Sequence, residues 1–370
     1  MNTISISLPE IIFSNDSSKE IIKKIGNKKC IVFTSKYWIK SSLLRNLKKK
    51  IKFIDIIQDI EPNPEIKKVL ETCIDIENTD IIMCIGGGSV IDFAKAVIAF
   101  NCLNRNKKKF KENLLSNKSF DELVVPKILA IPTTSETGSE RNSWETVWNK
   151  KEKYSVLGKH LTPSTAILDA NLCKSMPLPL TISTGLDALS HAFEAIWNNN
   201  HNPLVDEIAK LAIEKIRTYL PLVMIKLNNI KYRREMQIAA LLAGIAMSKT
   251  KTAICHSISY PLTSLFGLPH GIACSLTLSE VCKMNVEQYK DRAFVISSAM
   301  NCSNDDLEVC LIKFLKKLDY GIYLKPLKGV SIDESINFIN AARLKNSLIQ
   351  INNKEAAIIV NKSINKFMII

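Results

Sequence analysis

The sequence predicts an α/β half built on a parallel sheet, followed by an all-helical half. Three observations carry that prediction. Apolar runs recur through the first half at residues 30–34, 52–57, 81–85, 127–131 and 166–168. Runs without alternation suit strands buried on both faces, and their spacing suits parallel crossovers. From about residue 180 the texture changes to long segments such as 203–220 and 233–247, where apolar residues recur every three or four positions as in bundled helices. The length of 370 residues also fits two domains at about 150 residues each. The change of texture places the boundary near 177–180, giving domains 1–179 and 180–370.

Hydrophobic residues make up 46% of the chain and charged residues 23%, a globular balance that excludes a disordered chain. The net charge of +14 would by itself point to nucleic acid or an anionic membrane surface. The excess is nearly all lysine in scattered short runs (23–24, 48–50, 107–109), without the arginines and interleaved aromatics of a nucleic-acid surface. It reads as a solvated lysine face that favours anionic small molecules, with neither a nucleic-acid nor a membrane partner. Ten cysteines contain no CxxC pair and sit mostly in apolar stretches, as buried thiols do in a reducing compartment. Residues 1–9 alternate apolar and polar without a basic leader. The longest apolar run, 81–100, carries Asp92, Lys95 and three glycines, which disqualifies it as a membrane span. A cytoplasmic protein is expected. The polar stretch 101–119 reads as a loop or exposed helix, and the region after Cys302 shows helical pattern without a usable motif.

Three constellations carry chemistry. The run at 81–85 enters a Gly86-Gly87-Gly88 turn and then a helix. Glycines there let backbone N–H groups approach an anion, and the helix N-terminus adds its positive dipole end. Ser89 and Asp92, three apart, resemble a capping box. A second cradle, residues 132–140, sets a cluster of hydroxyls at the carboxyl end of a strand, the usual ligand side of such a sheet. The third lies in the helical half. Asp187 and His191 are four apart and share a helix face, as two ligands of one divalent metal must. His256 and His270 supply two more imidazoles, and a mixed oxygen and nitrogen set suits Fe(II), Zn(II), Mn(II) or Co(II).

These motifs resemble the iron-containing, group III alcohol dehydrogenase family: GGGS followed by D-x-A-K (86–95), PTT-x-x-TGSE (132–140), G-x-D-A-x-x-H (185–191), and His256 with His270, the latter within Pro-His-Gly. The resemblance runs in order over roughly residues 60–280, including the turn at 61–64. It implies the dehydroquinate synthase-like fold, an N-terminal dinucleotide-binding domain, a helical metal-binding domain and a metal in the cleft between them. Carried over by position, the metal ligands fall on Asp187, His191, His256 and His270, with Fe2+ the first expectation and Zn2+ the alternative. NAD(P)H contacts fall on Asn63, Gly87, Gly88, Ser89, Thr133, Thr134, Thr137 and Lys153. A homodimer is the expected assembly. Within the family, the stretches 144–155, 183–197 and 249–262 are most similar to the phosphonoacetaldehyde reductase branch.

Three departures from the family pattern bear on function. Glu136 puts an anion where the family has glycine. Ser35 and Lys36 stand after the strand 30–34, where NAD-specific relatives carry an aspartate, so NADPH is tolerated and NADH is not excluded. Tyr260 stands four residues after His256, where many relatives place a second histidine; a phenol, with a reference pKa of about 10, donates a hydrogen bond but is a poor base near neutrality.

The resemblance implies reduction of a small anionic aldehyde, phosphonoacetaldehyde, to its alcohol by hydride transfer from NAD(P)H. The alternative is a general dehydrogenase of short-chain alcohols and aldehydes. An anionic tail needs cations: Lys249, Lys251 and Arg141 are the candidates, with Trp144 as a pocket wall and Tyr260 as a proton route.

Overall fold

The computed structural model describes residues 9–368 apart from Pro62, Asn117, Glu136, Thr137, Lys150, Lys151 and Ser331, and without the side chains of Glu145, Glu152 and Lys153. The chain divides into two compact units. The first runs to Thr134 and resumes over Gly138–Cys173; the second takes the chain from Lys174 onward together with Ser135. The division falls at 173/174, a few residues before the change of texture near 180.

The first unit is built on β1 (Glu10–Ser14), β2 (Cys30–Thr34), β3 (Phe53–Ile57), β4 (Ile81–Gly86), β5 (Lys127–Pro132) and, after a hairpin, β8 (Thr165–Asp169). These form one sheet in the order β1-β8-β5-β4-β2-β3, every neighbouring pair parallel. The hairpin β6 (Trp144–Asn149) and β7 (Glu152–Leu157) pairs antiparallel on its own. The connecting helices are α1 (Ser17–Ile25), α2 (Ser42–Lys48), α3 (Ile66–Glu71), α4 (Gly88–Cys102) and α5 (Lys107–Leu115).

Alternate residues of each central strand enter different cores. Ile31, Phe33, Ile82, Cys84, Ile128 and Ala130 pack with α3, α4 and α5; Cys30, Val32, Met83, Ile85, Leu129 and Ile131 pack with α1 and α2. Burial on both faces is why these strands are continuous apolar runs rather than alternating ones. Strand β1 lies at the sheet edge with Phe13 half exposed, and the expected strands did not include it.

The second unit is helical: α6 (Leu178–Ile196), α7 (Pro203–Ile225), α8 (Ile230–Thr250), α9 (Ile254–Phe266), α10 (His270–Leu276), α11 (Leu278–Gln288), α12 (Lys290–Met300), α13 (Leu307–Lys317), α14 (Ala341–Leu344) and α15 (Asn353–Met368). Helix α6 is buried all round, with Leu186, Leu189 and Phe193 in one core with α7 to α13 and α15. No single helix among the described residues is long and apolar enough to cross a membrane. All ten cysteines are free, and six of them are buried.

Candidate functional site

In the first unit the strand order reverses direction between β2 and β4: β3 lies beyond β2 on one side, and β5, β8 and β1 beyond β4 on the other. Ligands of open parallel sheets bind outside the carboxyl ends of strands at such a switch point. Two of the expected features meet there, the Gly86–Gly88 turn after β4 and Ser35-Lys36 after β2.

Gly87 is the N-cap of α4 and accepts from Val90 N–H at 3.0 Å. Gly86 leaves no room for a side chain: a Cβ would lie 2.4 Å from Val90 Cγ2, so the first turn of α4 rests on the strand end. Gly86 C=O accepts from Thr133 N–H at 3.0 Å, which aligns the start of the hydroxyl cluster with the glycine turn. The turn therefore presents the unsatisfied N–H groups of a helix start, as anion binding requires.

The capping box is not formed. The cap is Gly87, with no side-chain bond, and Asp92 Oδ2 instead accepts from Thr146 N–H at 3.3 Å in β6. Lys95, fully buried one turn on, donates through Nζ to Asn142 C=O and Oδ1, both at 2.9 Å, and to Trp144 C=O at 3.4 Å. The D-x-x-K half of the motif thus ties α4 to the approach and first strand of the hairpin.

Asn63 adopts a left-handed backbone, φ +56°, beside a bond from Trp148 N–H to Pro64 C=O. Thr133 is buried and Thr134 half-buried at the end of β5; Glu136 and Thr137 lie outside the described residues, as does the side chain of Lys153. Lys36 makes an ion pair with Asp59, which also lies 4.0 Å from Lys68. Arg141 is buried beside Glu140, and burial lowers its guanidinium to about 10. Both Arg141 and Trp144 belong to this first unit.

The second unit gathers the titratable cluster. Asp187 and His191 share the inward face of α6, with His191 Nδ1 3.9 Å from Asp187 Oδ2. His256 comes from the first turn of α9 and His270 from the start of α10; their Nε2 atoms lie 3.5 and 3.8 Å from Asp187 Oδ1. The His191 and His256 rings stack at 4.6 Å with 9° between planes. Gly271 allows the approach, because a Cβ there would lie 1.8 Å from the Ser183 carbonyl oxygen on α6.

Two residues of this cluster escaped the sequence reading. Glu194, buried one turn beyond His191, accepts from His256 Nδ1 at 2.7 Å and from the backbone N–H groups of Ala253 at 2.8 Å and His256 at 3.1 Å. It caps α9 and fixes the His256 ring so that Nε2 faces Asp187. Its signal was legible: positions 187, 191 and 194 follow the i, i+4, i+7 spacing of one helix face. Cys274 is the other. One donor atom each from Asp187, His256, His270 and Cys274 lie within 4.8 Å of one another.

The electrostatics suit a cation. Burial alone would raise the Asp187 carboxyl, but His191, His256 and His270 reverse this and hold it well below the usual carboxylate range. Glu194 is likewise pushed up by burial and brought below its ordinary value by His256 and two backbone N–H donors. Asp187 Oδ1 and His256 Nε2 are buried and neither has a hydrogen-bond partner among the described residues. Orphaned acceptors facing one another at 3.5 Å cost stability unless a shared partner binds both. A divalent ion fits that description, and the donor set of carboxylate, imidazoles and thiol is competent for iron or zinc.

An anion-binding switch point and a buried carboxylate–histidine cluster fit the class of enzymes that bind a nucleotide and a divalent metal. Residues 9–170 match the family model described as iron-containing alcohol dehydrogenase, and 181–356 match the model for the C-terminal part of the Fe-containing alcohol dehydrogenase family. The chain belongs to the iron-containing alcohol dehydrogenase family, and it is an NAD(P)-dependent enzyme of that family.

It is 32% identical to an NADPH-dependent butanol dehydrogenase of Clostridium saccharobutylicum over 87% of this chain and 88% of that protein. It is 33% identical to an NAD-dependent methanol dehydrogenase of Bacillus methanolicus over 75% of this chain and 74% of that one. The solved sulfoacetaldehyde reductase of Bifidobacterium kashiwanohense in complex with NAD+ superposes over 98% of this chain and 99% of that one, with a TM-score of 0.84 and 26% identity.

Proposed function

We propose that this enzyme reduces phosphonoacetaldehyde to 2-hydroxyethylphosphonate. The observation that carries the reading is the likeness over nearly the whole chain to a solved protein named sulfoacetaldehyde reductase. Sulfoacetaldehyde and phosphonoacetaldehyde are both two-carbon aldehydes bearing a tetrahedral oxyanion, and a basic chain favours such substrates. The stretches 144–155, 183–197 and 249–262 point to the phosphonate member of the pair.

In the reaction the aldehyde carbon gains a hydride and its oxygen a proton, while NAD(P)H becomes NAD(P)+. A divalent ion would be held by Asp187, His191, His256 and His270, with the Cys274 thiol among the nearby donors, and would supply Lewis-acid polarisation of the carbonyl. Glu194 keeps the His256 Nδ1 proton, so that Nε2 presents its lone pair to the donor cluster. Asp187 stays ionised throughout the working pH range because the imidazoles hold its carboxyl low. In this reading Tyr260, whose ring lies 6.4 Å from that of His270 with 11° between planes, donates a hydrogen bond toward the developing alcohol oxygen. The helix start at Gly87–Ser89 would hold the cofactor's pyrophosphate. The partner in this reading is a small anionic aldehyde, and the working assembly a homodimer.

A general short-chain dehydrogenase is the second reading, favoured by the butanol and methanol dehydrogenase relatives. Oxidation of NADH and NADPH by the anaerobic Fe(II)-loaded protein, with phosphonoacetaldehyde and propionaldehyde side by side, separates the two. A kcat/KM strongly favouring phosphonoacetaldehyde supports the first; parity or the reverse overturns it.

A further inference from the structure

An anionic head group needs a fixed cation near the donor cluster, and three arginines of the second unit are already held elsewhere. Arg233 is fully buried and spends its guanidinium on Leu227 C=O, Met176 C=O and Thr181 Oγ1. Arg292 is paired with Asp206 and Asp291. Arg217 donates to Ala299 C=O.

Arg343 differs. It has no carboxylate partner among the described residues; its Nη1 donates to Thr252 Oγ1 at 2.7 Å, and its Nε is buried without a hydrogen-bond partner. Its Cζ stands 5.4 Å from the centroid of the Tyr260 ring, the same ring that stacks on His270.

That position is held from several sides. The Asn340 side chain caps α14 by accepting from Arg343 N–H at 3.2 Å. Asn340 N–H donates to Ser257 Oγ at 2.7 Å, Ser257 Oγ donates to Phe338 C=O at 2.8 Å, and Asn346 Nδ2 donates to Thr252 C=O at 3.0 Å. The segment carrying Arg343 is thus fastened to the very start of α9, the helix that bears His256 and Tyr260. Of the lysines named from the sequence, Lys251 is exposed, with φ +66° at the end of α8 and its carbonyl accepting from Asn198 Nδ2.

We propose that Arg343 is the residue that reads the substrate's anionic head group, with the Tyr260 ring as the floor between it and His270. The inference rests on the anionic-aldehyde reading above and names the reader within it. The two ring separations place the guanidinium within about 12 Å of the His270 imidazole. That upper limit is compatible with the two ends of a two-carbon aldehyde that carries one tetrahedral anion. A guanidinium with an unpaired buried N–H offers the fork geometry that phosphonate and sulfonate oxygens accept.

The test is steady-state kinetics of the wild type, Arg343→Lys and Arg343→Met with phosphonoacetaldehyde, sulfoacetaldehyde and propionaldehyde. It is joined by calorimetric binding of 2-hydroxyethylphosphonate to the NAD(P)+-loaded holoenzyme. In Arg343→Met the ratio of kcat/KM for either anionic aldehyde to that for propionaldehyde should fall about a hundredfold, chiefly through KM, and calorimetric affinity should fall in parallel. Arg343→Lys, which keeps a charge but loses the fork, should fall part of the way. Equal losses on charged and uncharged aldehydes would make Arg343 a fastening of α9 and overturn the proposal. A wild type that does not prefer either anionic aldehyde would instead overturn the substrate reading itself, whatever the variants do. Sulfoacetaldehyde and phosphonoacetaldehyde together tell whether the second phosphonate charge matters.

Discussion

Glu194 Oε2 accepts from His256 Nδ1 at 2.7 Å, on the side of the ring away from Asp187. The same carboxylate holds the first turn of α9 through the Ala253 and His256 N–H groups, so the ring and the helix carrying it are set by one side chain. Loss of such an outer partner typically weakens a metal site 10- to 100-fold. Glu194→Gln should therefore lower affinity for Zn(II) or Co(II) by about that factor, read by competition with a chelating dye, with a smaller loss of thermal stability because an amide oxygen still accepts at the cap. Metal affinity equal to wild type would remove Glu194 from that role.

Cys274 brings sulfur into a donor set otherwise made of oxygen and nitrogen. Soft thiolate ligands favour zinc over ferrous iron relative to carboxylate and imidazole. Cys274→Ser should shift the Zn(II) to Fe(II) affinity ratio about tenfold toward iron, measured by anaerobic competition. In the Co(II)-loaded wild type a near-ultraviolet sulfur-to-cobalt charge-transfer band is expected, and it should vanish in the variant. A wild type without the band would show that the thiol stays out of the coordination sphere.

Lys95 joins α4 to the hairpin approach through three oxygen acceptors. Lys95→Met leaves those acceptors buried and unpaired, a cost of about 2–4 kcal/mol. Chemical unfolding should show that loss, and amide exchange should rise first over residues 142–149. A variant with unchanged stability would contradict the assignment.

Glu140 is buried, and burial raises its carboxyl above the usual range despite Arg141 and Lys95 nearby. A folded-state pKa above the unfolded one means the folded protein binds the proton more tightly, so stability is lost as pH rises from the unfolded value, about 4.5. Glu140→Gln should raise Tm at pH 7.5 and leave it nearly unchanged near pH 4. A Tm lowered at pH 7.5 would mean the carboxylate is a net stabiliser.

Asp59 occupies the cation that Ser35-Lys36 would otherwise offer a 2′-phosphate, since Lys36 is paired to it and its own carboxyl is held low chiefly by that hydrogen bond. Asp59→Ala should free Lys36 and Lys68 and raise kcat/KM for NADPH relative to NADH several-fold, within the range of exposed charge pairs. An unchanged cofactor ratio would place the 2′ position elsewhere.

Much of this was legible from residue order. Strands β2, β4, β5 and β8 fall where the apolar runs lie, because a strand buried on both faces must be apolar throughout, and the edge strand β3 was found from its isoleucines and Phe53 despite its exposed Asp55. Strand β1 was not legible, as it lies at the sheet edge, none of its residues is fully buried, and its apolar run is flanked by Glu10 and Ser14. The hairpin was hidden by its composition: Trp144 to Asn149 mixes polar and apolar residues, and its anchor, Lys95, lies about fifty positions earlier. Asp187, His191, His256 and His270 were named by motif, and the fold brings them to one cluster. Glu194 could have been found by extending the helix face one turn. Arg343 could not, because nothing local marks it; its meaning comes from α14 returning to α9 after ninety residues.

At Gly271 the separation between α6 and α10 is set by two backbones in direct contact, with no side chain as a cushion. Laboratory evolution of this enzyme therefore faces an uneven landscape. Positions around Tyr260 and Arg343 can be randomised to seek new aldehydes, whereas the smallest residue in the cluster is the one that must be left alone. Even alanine there would wedge the helices apart and spoil His270's approach to Asp187, abolishing turnover for every substrate at once.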